Sequence, residues 1–267
     1  MNSKSLLTAL NLNEFIAFDV ETTGLNPNSD SIIELSAYLF IDREPKDVYS
    51  TLINPQRKIP PFITELTGIN DNHVKNSPTI KEALPELLDF FGSIPIVGQN
   101  IGFDLGFLNN SLKKSNLPPY KNSKIYDTST LARFCLFFHP DLSLSGISEY
   151  YQLNTDNAHR AEADTLNTGL VFIELVKEVA SNPLDILELC NRGLNNEKVY
   201  NYHLFKNLVE HCLKTNSYTG ITKSKIEWTP PSPAIKNENN NLDSNLLDVD
   251  NILSENGLVE KKWDKFE

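Results

Sequence analysis

The stretch Phe15-Ile-Ala-Phe-Asp-Val-Glu-Thr-Thr-Gly-Leu25 opens with an apolar run, Phe15 to Val20, and closes on turn-forming residues. A short apolar run bounded this way reads as a buried strand. Asp19 and Glu21 sit two apart at its end, so the period-2 alternation of a strand puts both carboxylates on one side. Two like charges that close are driven toward protonation unless a cation compensates them. A set of hard oxygen donors suits Mg²⁺ or Mn²⁺. On its own, the same Asp-x-Glu also reads as a solvated turn.

Working outward, Ile32 to Ile41 is a second apolar run after an Asn-Pro-Asn-Ser-Asp turn, and Val48 to Ile53 is a third strand ending at Asn54-Pro55. Three strands joined by tight turns predict an antiparallel meander. Pro60-Pro61 starts a helical turn that Gly68 stops. From residue 79 the period becomes helical: Ile80, Ala83, Leu84, Leu87, Leu88 and Phe91 recur at three and four until Gly92. Ile94 to Gly98 and Lys124 to Tyr126 are further short strands; helices are predicted over Phe103–Lys114, Leu131–Phe138, Leu144–Tyr151 and Arg160–Val179. The order β-β-β-α-β-α-β-α-α predicts an α/β fold of the ribonuclease H-like kind: a mixed β-sheet, the meander plus parallel strands, flanked by helices.

The remaining features limit the function classes. Hydrophobic residues make up 40% and charged residues 22% of the 267, ordinary for a soluble protein, and no apolar run approaches a membrane span. Leu6, Leu7 and Leu10 are too interrupted for a signal peptide, so a cytoplasmic location with no membrane partner is expected. Cys135, Cys190 and Cys212 are odd in number and far apart, which indicates neither a disulfide framework nor a zinc site. The net charge of −11 argues against a duplex-wrapping DNA binder. Residues 1–180 hold 14 Lys/Arg against 22 Asp/Glu, a balance of −8, so the acidic part is the one with the candidate site. An enzyme that meets phosphate through metal ions tolerates such a balance.

Two further segments carry candidate chemistry. Asp104 lies where the buried strand ending in Gly98 meets a helix, and its neighbours Phe107 and Leu108 are core types, which sets the carboxylate near a buried edge. An Asp at a helix start also serves orphan amides, and both readings stand on the local sequence. His159 and Asp164 are five apart; at about 100° per residue they cannot face one site from a single continuous helix. They converge only if His159 precedes the helix that carries Ala161, Asp164, Thr168 and Val171.

Phe18-Asp-Val-Glu-Thr-Thr-Gly-Leu25, the segment from Asn100 to Leu108, and His159-Arg-Ala-Glu-Ala-Asp164 together resemble the three exonuclease motifs of the DEDDh family. That family includes the epsilon proofreading subunit of bacterial DNA polymerase III. Connecting segments are similar too: Ile32-Ile-Glu-Leu35, Asn54-Pro55, Ile59-Pro60, Leu66-Thr-Gly-Ile69, and Asp127-Thr128 followed by Leu131-Ala-Arg133. The resemblance covers about residues 13–180. It departs at Gln99, where many relatives carry His, and at Glu162, where a small residue is more usual.

The resemblance implies a 3′ to 5′ exonuclease that releases nucleoside 5′-monophosphates from DNA in replication proofreading or repair. Its catalytic residues would be Asp19, Glu21, Asp104, His159 and Asp164. Asp19, Glu21 and Asp164 would hold one Mg²⁺ or Mn²⁺, Asp19 would bridge to a second ion supported by Asp104, and His159 would serve as general base. Thr23, Gly24, Leu25, Asn100 and Phe103 would contact the terminal nucleotide. The alternatives are a 3′ to 5′ exoribonuclease and a non-catalytic module that binds nucleic acid or a partner. Glycoside hydrolysis by paired carboxylates fits less well, because a third and fourth acid with a histidine suit metals better.

The expected organisation is an exonuclease domain over 10–180, a helical extension over 181–226, a disordered linker over 227–245 and a short tail over 246–267. The linker contains Trp228-Thr-Pro-Pro-Ser-Pro and an Asn/Glu-rich run, a composition unable to bury enough apolar surface to offset chain entropy. The tail, with Asn251-Ile-Leu-Ser-Glu-Asn-Gly-Leu258 and Trp263 to Glu267, resembles the segment preceding the helicase in DinG-type exonuclease-helicases. It is expected either to dock a helicase or polymerase partner or to begin a helicase region. No Gly-x-x-x-x-Gly-Lys-Ser/Thr loop is present to drive an ATP motor.

Overall fold

The decisive strand, β1 (Glu14–Thr22), lies at the centre of a five-stranded sheet in the computed structural model, which describes residues 3–122, 124–153, 161–194 and 196–215. β2 (Ile32–Ile41) and β3 (Glu44–Leu52) extend it antiparallel on one side; β4 (Ile96–Gly98) and β5 (Ile125–Asp127) extend it parallel on the other, giving the order β3-β2-β1-β4-β5. This is the mixed sheet that the element order predicts. Around it run α1 (Ser3–Ala9), α2 (Pro61–Thr67), α3 (Asp71–Val74), α4 (Ile80–Phe91), α5 (Gly102–Lys114), α6 (Thr128–Cys135), α7 (Leu144–Tyr150), α8 (Ala161–Ala180), α9 (Leu184–Leu194) and α10 (Tyr202–Thr215).

β1 is buried on both faces, and its alternation divides the core. Ile16, Phe18 and Val20 enter one cluster with Leu84, Leu87 and Phe91 of α4 and Leu105 and Leu108 of α5. Phe15 and Ala17 enter the other with Val171, Phe172 and Val176 of α8. Phe15 stacks on Phe40 at 4.9 Å between ring centroids and meets Phe172 edge-on at 5.1 Å, tying β1, β2 and α8 together. α8 lies so close to β2 that a Cβ on Gly169 would stand 2.2 Å from Cε2 of Phe40. Gly169→Ala is therefore expected to overpack this seam at a cost of about 1–3 kcal/mol. Thermal denaturation should show a Tm lower by roughly 3–10 °C, and an unchanged Tm would mean that α8 can shift freely off the sheet.

Among the departures from the sequence expectation, two shifted boundaries and one added helix have a clear physical reason. β3 starts at Glu44 rather than Val48, because a two-residue turn with Asp42 at φ 52° and Arg43 at φ 79° closes a tight hairpin in which Ile41 faces Glu44. The polar run with Pro45 that masks this strand in the sequence is what an exposed sheet edge carries. α6 begins three residues before Leu131, because the Asp127 side chain accepts from the Ser129 amide and caps the helix there. α1 is an addition to the expected elements, being too short to hold itself together. Its stability is tertiary: Leu7 and Leu10 are buried in the α8-side core, and the Leu10 carbonyl accepts from Nδ2 of Asn207 in α10 at 2.8 Å.

α9 and α10 pack into that same core through Leu187, Leu204, Phe205, Leu208 and Val209. Residues 216–267, which include the expected linker and tail, lie outside the described residues. Among the described residues no helix is long and apolar enough to cross a membrane.

Candidate active site

The parallel half of the sheet aims three strand ends at one edge, and the acids gather there. Odd residues at the end of β1 turn toward α8, so Asp19 and Glu21 leave the sheet on the same side, each half-buried. Asp164 stands in the first turn of α8, which packs across β1 and β2. Asp104 stands in the first turn of α5 and is 2% exposed. Burial first, then the negative charges of Asp104, Glu21, Asp164 and Glu34, hold the Asp19 carboxyl well above the usual carboxylate range. Every charged neighbour that sets this shift is another acid.

Asp104 is anchored by the sheet itself. The Ile16 amide donates to the Pro95 carbonyl at 2.8 Å on the β4 side of β1, and four residues on, the same edge presents the Val20 amide. β4 pairs with β1 only at Ile16 and Ala17, so Val20 finds Oδ1 of Asp104 at 3.1 Å instead. Burial still pushes the Asp104 carboxyl well above the usual range; the Val20 amide and its own amide pull it down, while Glu21 and Asp127 push it up.

Among the described residues, no three of these groups already meet at one point in ligand geometry. The chemistry of the donors nevertheless fits divalent cations. Hard oxygen ligands converge on one sheet edge, and their mutual repulsion is the cost a bound cation removes. His159, the expected general base, lies outside the described residues with the rest of 154–160.

The expected substrate contacts occupy the turn after β1 and the first turn of α5. Thr23 is buried and closes that turn by donating its amide to the Ser31 carbonyl at 2.8 Å and accepting from the Ser31 amide at 3.0 Å. A Cβ on Gly24 would stand 2.6 Å from Oδ2 of Asp30, so a larger residue there would push that carboxylate aside. Leu25 follows at 84% exposure, an apolar side chain held in solvent beside the acids. Asn100 sits at φ 56°, a left-handed conformation that asparagine tolerates better than most residues. Phe103 is half-buried, its ring 4.9 Å from Phe107. Gln99 is occupied structurally: its side chain bonds the Thr128 hydroxyl and donates to the Leu142 carbonyl at 3.3 Å.

Three residues absent from the sequence-based set position this edge. Glu34, buried and paired across the sheet with Glu21, accepts from the Ala161 amide at 3.2 Å. It thereby caps the start of α8, the helix that carries Asp164. Asp127 accepts from the amides of Asn100 and Ser129, both at 3.0 Å, and from the Thr130 hydroxyl at 2.9 Å, pinning the turn that leads to Asp104. Asn201 in turn clamps Asp127, accepting from its amide at 2.9 Å and donating to its carbonyl at 3.1 Å. Glu34 and Asp127 lie in segments that resemble the family, which is the signal that could have found them; Asn201 offers none in sequence.

The sequence profile of the exonuclease family RNase_T matches residues 16–172, which span all five expected catalytic positions. A PolC-type DNA polymerase III of Caldanaerobacter subterraneus subsp. tengcongensis is 30% identical over 227 residues, covering 83% of this chain and 16% of that protein. The 3′-5′ exonuclease DinG of Bacillus subtilis is 33% identical over 184 residues, covering 68% of this chain and 20% of that protein. The chain thus aligns with a fifth or less of the length of these relatives. Exonuclease X in complex with 5′ overhanging duplex DNA superposes with a TM-score of 0.50 at 25% identity, over 63% of this chain and 93% of that one. The nuclease domain of 3′hExo, a DEDDh family member bound to rAMP, superposes with a TM-score of 0.53 at 19% identity, over 62% and 92%, and shows the shared fold.

Proposed function

Because this chain belongs to the RNase_T exonuclease family, we propose that it hydrolyses DNA from the 3′ end, single-stranded or frayed, releasing nucleoside 5′-monophosphates. The observation that carries this reading is the gathering of Asp104, Glu21 and Asp164 around Asp19 at one sheet edge, with only acids setting its charge. Asp19, Glu21, Asp104 and Asp164 would hold two divalent cations, Mg²⁺ or Mn²⁺, which would supply charge stabilisation for the attacking and leaving oxygens. His159 takes the proton from the attacking water. Backbone groups at Thr23 and Gly24 fix the terminal nucleotide, Leu25 lies under its base, and Asn100 and Phe103 close the opposite wall.

DNA is the favoured substrate because the relatives that align over most of the chain are named as a DNA polymerase and as the exonuclease DinG. Those relatives also support a setting in proofreading or repair, with 246–267 docking a polymerase or helicase partner. The test is a time course with Mg²⁺ on 5′-labelled single-stranded DNA, a duplex with a mismatched 3′ end, and matched RNA. Monophosphate release that is faster on the two DNAs supports the reading. Faster release from RNA makes the chain an exoribonuclease, and no release from any of the three leaves it a binding module. In the same assay His159→Ala should lower kcat roughly a hundredfold while Mg²⁺ still raises the Tm. An unchanged rate would remove His159 as the base.

A further inference from the structure

β5 is the sheet's edge strand, yet its outer side is covered. Asn201, 1% exposed and at φ 67°, donates its amide to the Ile125 carbonyl at 3.0 Å and makes its two side-chain bonds to Asp127. One residue thus does the work of a sixth strand and fixes the segment before it. That segment lies beyond residue 172, where the family match ends. It holds Tyr200 against the first turn of α5, with its hydroxyl 3.6 Å from where a Cβ on Gly102 would stand, two residues before Asp104. The phenol is near enough to the site that, after burial, the charges of Asp127 and Asp104 push its pKa up.

Beside Tyr200, between this segment and residues 120–125, opens a cavity of about 590 Å³, a size that takes a nucleotide-scale ligand. Tyr120 and Tyr200 contribute aromatic wall, Asn122 a polar side chain, and Lys121 and Lys198 exposed ammonium groups; among the described residues Glu197 is the single acid in the lining. Lys124 and Lys206 stand close enough to His203 to lower its pKa after burial, while Glu197 raises it. A cluster of lysines interleaved with tyrosines on a chain of net charge −11 is local complementarity to a phosphate backbone.

We propose that this cavity receives the substrate strand 5′ of the scissile nucleotide, with bases against Tyr120 and Tyr200 and phosphates at Lys121 and Lys198. The inference rests on the exonuclease reading and supplies what the acidic site lacks, a grip on the strand away from the metals. It places the strand on the α5 side of β5 and makes the segment 197–201 part of the substrate path.

The test compares two substrates with Mn²⁺: the p-nitrophenyl ester of thymidine 5′-monophosphate, which offers a terminal nucleotide and no upstream strand, and a single-stranded DNA ten-mer. In the full chain, Lys121→Glu combined with Lys198→Glu should raise KM for the ten-mer and lower the ratio of kcat/KM, ten-mer over ester, by tenfold or more. The salt dependence of log KM for the ten-mer should also flatten by roughly 1.4 per decade, about 0.7 for each phosphate that is no longer neutralised. Because the ten-mer carries more charge than the ester, reversal of two exposed lysines outside the cavity, Lys46→Glu with Lys81→Glu, is the control for general repulsion and should leave the ratio unchanged; an equal fall in that control also overturns the assignment. An unchanged ratio, or an equal loss on both substrates, overturns the cavity assignment. A wild-type protein that turns over neither substrate overturns the exonuclease reading instead, so the two failures are distinguishable.

Discussion

Asp19→Asn is expected to end metal-dependent release of mononucleotides, with kcat lowered on the order of a thousandfold or more, while the metal-free protein melts at the same temperature or higher. Both halves follow from the same crowding. Asp19 is the group on which burial and four other carboxylates converge, so its charge is costly to hold in the folded chain. An amide of the same shape removes that cost. It also removes the charge that would draw cations into the edge, so the rise in Tm that Mg²⁺ gives the wild type should shrink toward zero. Asp164→Asn should behave the same way from the α8 side. A purified Asp19→Asn variant with near-wild-type turnover would refute the metal-site reading, whereas one that melts several degrees lower in chelator would refute the electrostatic account of the cluster.

Asp127→Ala is expected to have the largest effect on stability, about 3–4 kcal/mol, or roughly 10 °C in Tm. The carboxylate is buried and satisfies two backbone amides and one hydroxyl. Its loss removes the cap of α6, worth about 0.5–2 kcal/mol, and leaves the Asn100 amide without its partner in a strained left-handed turn. That turn ends at the start of α5, four residues before Asp104, so loosening it moves a proposed ligand as well. A misplacement of about 1 Å costs on the order of a hundredfold in rate. Asp127→Asn keeps one acceptor oxygen and should fall between the two in both melting and activity. An Ala variant that melts within about 2 °C of wild type would mean that Asn201 and the sheet hold the turn unaided.

Much of this molecule is written in local pattern. The apolar run from Phe15 to Val20 predicts a buried strand, its alternation sets Asp19 and Glu21 on one side, and β1 is that strand. The three-and-four spacing from Ile80 to Phe91 predicts α4, which Thr79 and Glu82 open as a capping box and Gly92 closes. Such signals act over a few residues, through backbone sterics and nearby side chains, and so can be read in order along the chain. The polar edge strand β3 and the seven-residue α1 escape them, because an edge strand need not alternate and a short helix draws its stability from what it packs against.

The sequence by itself, through three acidic motifs in order, determined the exonuclease family and named the residues proposed for its site. Only the tertiary structure decided how that site is held. Val20 donates to Asp104 across 84 residues, Glu34 caps α8 across 127, and Asn201 clamps Asp127 across 74. No local spacing encodes such bonds. Each exists because the sheet brings to one edge a donor and an acceptor that would be costly to bury apart.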